Sequence, residues 1–145
     1  MAADSAGPDY AGDITVEQAY EMLTNNGNTV LVDVRTQAEW ALVGMPDLSS
    51  LGKETVFVSW QVYPTMELNH EFARQLADQG VNQDNTVLFL CRSGQRSKSA
   101  AIAMTAAGFR ECFNVAGGFE GPVDPRGHRG TIDGWKAKNL PWLQR

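Results

Sequence analysis

Cysteine and histidine are scarce in this sequence: two of each in 145 residues, Cys91, Cys112, His70 and His128. Two cysteines make no disulfide scaffold, and a chain of this length can bury a core without one. The four residues are scattered, so the paired spacing of a structural zinc site is missing and no metal is expected. A basic surplus is also missing. Twelve Lys and Arg stand against 17 Asp and Glu, for a net charge of −5. That balance argues against general binding to nucleic acid or to an anionic membrane surface. No apolar run approaches the roughly 18–20 residues that span a bilayer. The opening stretch, MAADSAGPDYAGD, lacks the basic and apolar segments of a secretory leader. The expected setting is therefore a reducing cytoplasm, where a cysteine in a special environment reads as reactive. No internal repeat or low-complexity tract is present.

The 43% of hydrophobic residues suffices for one core. Residues 1–12, with Gly7, Pro8 and Gly12, read as a flexible tail, and 13–145 as a single domain. Residues 14–17 open a helix in which Thr15 is the N-cap and Gln18 completes a capping box. The strand pattern recurs at 29–34, 54–60, 86–90 and 112–115. Helical patterns lie between, at 37–42, 68–78 and 96–107, with Gly80 and Gly108 as stops. Such alternation predicts an α/β fold with a parallel sheet and helices on both faces. Ligands then bind beyond the carboxyl ends of the strands. Two places qualify: Asp33-Val34-Arg35 and the segment after Leu90.

The second place reads Cys91-Arg92-Ser93-Gly94-Gln95-Arg96-Ser97. A cysteine ends a buried strand, a short polar loop follows, and a helix begins. Loop N–H groups and the unpaired N–H groups of the helix N-terminus can converge on one point there. With Arg92 and Arg96 nearby, a sulfur at that point is expected as a thiolate, beside a concavity for an anion. Gly94 allows the curved backbone. A buried core cysteine is the competing reading for Cys91, and six polar, turn-forming residues following it argue against that. Cys112, beside Phe113 and without converging donors, reads as structural.

Four features together resemble a single-domain rhodanese. They are Val32-Asp33-Val34-Arg35 with Glu39-Trp40; the Cys91-to-Arg96 loop with Ser97; Asn114-Val115-Ala116-Gly117-Gly118-Phe119; and Leu140-Pro141-Trp142. The resemblance spans about residues 14–142. It implies an open sheet of about five parallel strands and a sulfurtransferase that carries sulfur on Cys91 as a persulfide. The implied donor is a small anion such as thiosulfate. The acceptor is cyanide, a thiol or a protein. Backbone amides from Arg92 to Ser97 stabilise the sulfur, and Arg96 and Arg92 steer the donor. Asp33 orients the loop through one of its basic residues, Arg92 being the natural partner, or else caps the next helix. Arg35 buttresses the loop.

Related phosphatases and arsenate reductases place five residues between Cys and Arg. Here the arginine, Arg96, comes one residue early, and the smaller loop suits a sulfur better than a phosphate. A non-catalytic module that uses the fold for binding is the other alternative, and the intact Cys91 argues against it. The chain departs from the family where a Gly-His-Ile-Pro-Gly-Ala segment is common. It has Val43-Gly44-Met45-Pro46-Asp47-Leu48, without the histidine. Segments 59–69 and 121–134 are long for a minimal domain. Trp60 and Tyr63 in the first either pack on the sheet or form a groove wall or partner surface, and Arg126, His128 and Arg129 in the second read as a solvated loop or an anion-attracting cluster. A Cys91–Cys112 disulfide would need Cα atoms within roughly 7 Å. The acidic surface favours a monomer, and no cofactor is implied.

Overall fold

A computed structural model describes residues 9–144 of the chain. The hydrophobic run β7 (Thr86–Leu90, TVLFL) is buried throughout, as a central strand requires. It pairs in parallel with β2 (Thr29–Asp33) on one side and β8 (Glu111–Val115) on the other. Two short edge strands complete the sheet: β1 (Gly12–Ile14) beside β8, and β4 (Val56–Phe57) beside β2. The order is β1-β8-β7-β2-β4, five strands, all parallel.

Period-two alternation along the strands splits the core into two layers. Leu31, Leu88 and Leu90 face one side and pack on Val16, Ala19 and Leu23 of α1 (Val16–Asn25), with Phe119 and Trp135. Val32, Val87 and Phe89 face the other side. They meet Phe72 and Leu76 of α3 (Phe72–Asp78) and Ala100, Ala101 and Met104 of α4 (Gln95–Ala106). The expected α/β sheet with helices on both faces is present.

Local chemistry sets the helix starts. Thr15 and Gln18 form the expected capping box at α1. Thr36 and Glu39 form a second one at α2 (Gln37–Val43), so Glu39 is fixed at the first turn of that helix. A two-stranded antiparallel patch joins β3 (Met45–Pro46) to the C-terminal β9 (Trp142–Leu143), and a hairpin joins β5 (Gln61–Val62) to β6 (Glu67–Leu68).

Four expectations need correction. The segment 1–12, read as a tail, falls mostly outside the described residues; its last part lies on the sheet, with Ala11 N–H bonded to Cys112 O at 2.8 Å and Gly12 paired with Phe113. Ile14, read as opening a helix, ends β1, and α1 starts after the Thr15 cap. The strand expected over 54–60 shrinks to Val56–Phe57, and the helix expected from Leu68 starts at Phe72 because Glu67–Leu68 closes the hairpin.

Candidate active site

Cys91 follows directly on β7, and alternation turns it to the α4 side with Val87 and Phe89. It is 1% exposed. The backbone then curves through Arg92 and Ser93 to Gly94, whose φ of +103° starts α4. The curve aims the Gly94 N–H at the Cys91 sulfur, 3.1 Å away. Ser97, in the first turn of α4, places its hydroxyl oxygen 3.1 Å from the same sulfur. The α4 N-terminus adds the positive end of its dipole. An alanine Cβ at Gly94 would stand 2.5 Å from Ala116 O, so this turn is reserved for glycine by packing as well as by φ.

A second segment holds the loop from outside. Phe119 N–H donates to Cys91 O at 2.8 Å, and Glu120 and Gly121 N–H donate to Arg92 O at 3.0 and 3.1 Å. These bonds place the Asn114-to-Phe119 motif and the cysteine loop in one unit. The motif is recognisable in the sequence, but the task of its residues is not. Its signal was the pair of adjacent glycines after a strand.

Asp33 is not bonded to Arg92. Its carboxylate takes Arg35: Nε at 3.0 and 3.2 Å, Nη2 at 2.8 Å, and the Arg35 backbone N–H at 3.1 Å. Both side chains are fully buried. Residues two apart on an extended segment share a face, so the strand end itself brings the two side chains together. Arg35 Nη2 also donates to Gly44 O at 2.8 Å, and the guanidinium stacks 4.2 Å from the centre of the Phe119 ring. The ion pair therefore sits under Phe119, whose N–H holds Cys91.

The two loop arginines differ. Arg96 makes a two-pronged pair with Glu39, Nη1 to Oε1 at 2.7 Å and Nη2 to Oε2 at 2.9 Å. Burial works to raise the Glu39 carboxyl, but the Arg96 guanidinium and the Thr36 bonds outweigh it and bring it from 4.5 to about 2. The same pair raises Arg96. Its guanidinium is thus engaged with α2. Arg92 is exposed and, among the described residues, has no side-chain hydrogen bond or ion pair. Ser93 is half-buried and Gln95 exposed. Glu39 was legible only as part of a motif, because nothing in sequence links it to a residue 57 positions away.

Cys112 pairs in register with Val87, four residues before Cys91. At about 3.3 Å per residue that is about 13 Å along the strand, which excludes a Cys91–Cys112 disulfide. Burial pushes the Cys112 thiol up, against a hydrogen bond with Thr105. The two long segments also resolve. Trp60 packs edge-on against Phe72 at 5.1 Å. Tyr63, 60% exposed, lines an apolar groove of about 280 Å³ with Leu42, Val43, Met66 and Glu39. In the other segment Asp124 accepts bonds from Arg126 N–H, His128 N–H and the Thr131 hydroxyl. Arg129 Nη1 donates to Gly121 O at 2.7 Å, which ties that loop to the residue holding Arg92. Among the described residues no group of three or more His, Cys, Asp or Glu could hold a metal ion, and no helix is long and apolar enough to cross a membrane.

A family model described as the STR4 middle domain matches residues 11–145. The crystal structure of Rv0390 from M. tuberculosis superposes with a TM-score of 0.85 at 50% identity, covering 94% of this chain and 99% of that one. The Arabidopsis thaliana protein called rhodanese-like domain-containing protein 4, chloroplastic, is 26% identical over 131 residues, 90% of this chain and 25% of that protein. The solution structure of a polysulfide-sulfur transferase homodimer from Wolinella succinogenes matches with a TM-score of 0.64 at 23% identity, over 94% of this chain and 80% of that one, which is a likeness of fold.

Proposed function

Because the chain belongs to the STR4 middle-domain family and has a rhodanese-like fold, we propose that it is a sulfurtransferase carrying sulfane sulfur as a Cys91 persulfide. The observation that carries this reading is the Cys91 sulfur at the end of β7, facing the Gly94 N–H and the first turn of α4. An anionic sulfur is stabilised there by a fixed N–H donor and a helix dipole.

The chemistry runs in two steps. The Cys91 thiolate attacks the outer sulfur of a donor. The new S–S bond forms as the donor's own S–S bond breaks, and the electron pair leaves with sulfite when the donor is thiosulfate. A nucleophilic acceptor then attacks the outer sulfur of the persulfide, and the Cys91 thiolate returns as leaving group. One difficult transfer becomes two easier ones. Arg92 draws the anionic donor, since its charge is free while that of Arg96 is held by Glu39. Polysulfide joins thiosulfate as a donor class, from the name of the Wolinella succinogenes neighbour. Cyanide, a small thiol or a protein thiol serves as acceptor. Two free cysteines suit a reducing cytoplasm, and the acidic chain works as a monomer without metal or cofactor. The engagement of Arg96 with Glu39 also argues against phosphate chemistry, which needs an open arginine fork.

The test is thiocyanate formation from thiosulfate or polysulfide with cyanide, and, with excess thiol as acceptor, release of sulfide as a second thiol displaces it from the acceptor persulfide. We expect transfer with at least one pair. Arg92→Ala raises the KM for thiosulfate about tenfold and leaves kcat nearly unchanged, as loss of uniform binding does. No transfer from any of these donors to any acceptor would overturn the reading.

A further inference from the structure

A row of polar groups runs from the surface to the Cys91 sulfur. The Tyr10 hydroxyl donates to Asp13 Oδ1 at 2.8 Å, and Asn114 Nδ2 donates to the same oxygen at 3.0 Å. Ser97 Oγ lies 2.6 Å from Asn114 Oδ1 and 3.1 Å from Cys91 Sγ. Asp13 is exposed, while Asn114 and Ser97 are 2% and 0% exposed. Asp13 on β1 is the register partner of Asn114 on β8, so the sheet itself sets this contact.

Counting protons fixes the direction of every bond. An ionised carboxylate only accepts, so Asn114 turns its NH2 to Asp13 and its carbonyl to Ser97. A carbonyl oxygen only accepts, so the single Ser97 proton points at Asn114. The Ser97 oxygen therefore meets the sulfur with lone pairs. A thiol S–H can donate to them; a thiolate cannot. For Ser97 to solvate a thiolate, its proton must leave Asn114 Oδ1, and a buried carbonyl then loses its donor.

We propose that Asp13 is a positioning residue that acts through Asn114 to keep the Ser97 proton off the Cys91 sulfur, and so restrains the reactivity of that sulfur. The bearing on sulfur transfer rests on the function proposed above; the hydrogen-bond logic does not. With Asp13→Asn the row can invert. The new side-chain amide gives N–H to Asn114, Asn114 gives N–H to Ser97, and Ser97 gives O–H to the thiolate. The other charged groups around the site are unchanged by that substitution. They are Arg92 on the loop, the Arg96–Glu39 pair from α4 and α2, the Asp33–Arg35 pair at the end of β2, and Asp133 beside Gly117. Tyr10 stays beside Lys98, 6.0 Å from its ring centre.

The experiment compares wild type, Asp13→Asn, Ser97→Ala and the double variant. The readouts are the ultraviolet thiolate absorbance against pH, with Cys91→Ser subtracted, and the iodoacetamide rate at Cys91 by peptide mass. Asp13→Asn is expected to lower the Cys91 midpoint by about one pH unit and to raise the rate below it about tenfold. In the Ser97→Ala background the same change is expected to have no effect. An equal shift in both backgrounds would overturn the proposal, because Asp13 would then act by charge through space. So would no shift in either. Asp13→Ala frees the same amide and serves as the second variant, with circular dichroism as the check on folding. Failure of the two readings is separable: a moved midpoint without sulfur uptake defeats only the proposed function, and uptake with an unmoved midpoint defeats only the relay.

Discussion

Gly118→Ala is expected to cut sulfur transfer by about a hundredfold while leaving the sheet in place. Gly118 has a φ of +68°, and an added Cβ would run into Arg92 O, with Arg92 C at 2.6 Å and Ser93 N at 2.7 Å. These are backbone atoms of the cysteine loop, so no side chain can swing aside. Either the loop moves off its anchor or the Gly117-Gly118 turn opens. Phe119, Glu120 and Gly121 would then lose their hold on Cys91 O and Arg92 O. Left-handed backbone at a non-glycine costs about 1–2 kcal/mol, and overpacking adds about 1–3 kcal/mol. Urea unfolding and thiocyanate kinetics on the same variant check both parts. Wild-type kinetics in a folded Gly118→Ala protein would contradict the account of how the loop is held.

Arg35→Ala is the second large effect. It leaves the Asp33 carboxylate buried without its partner, and breaking a buried pair in this way costs about 3–5 kcal/mol. A domain holds about 5–15 kcal/mol in total, so this variant stands near the edge of stability. It also removes the donor to Gly44 O and the cation stacked on Phe119. Arg35→Lys recovers little, because one ammonium cannot span both carboxylate oxygens and the carbonyl. The double variant Asp33→Leu with Arg35→Met should recover much of the loss, since a matched apolar pair carries no stranded charge. Equilibrium urea unfolding decides it. A loss below about 1 kcal/mol for Arg35→Ala would show that water reaches Asp33 and that the pair is not the support described.

The parts legible in the sequence are those set by local rules. The apolar run TVLFL marks β7 as a buried strand and puts Cys91 at its end. The Thr15–Gln18 box marks the start of α1. The polar loop after Leu90 could be read as a site because its residues are unsuited to a core. What was not legible depends on partners far along the chain. β1 is three residues containing a glycine, too short for a pattern, and exists because β8 offers it an edge. Asp33 offered Arg92 or the cap of the next helix on paper, and the buried strand end gives it Arg35 instead. Asn114 sits in a recognisable motif, yet its link from Ser97 to Asp13 needs the β1–β8 register. Glu39 follows the same rule, since its partner Arg96 arrives from another helix.

Intact-protein mass measured before and after thiosulfate or polysulfide, on wild type and on Cys91→Ser, tests the central claim most directly. The account predicts a gain of one sulfur, about 32 Da, on wild type, removed by cyanide or a thiol and absent from Cys91→Ser. No gain with any donor, or the same gain in Cys91→Ser, would contradict it.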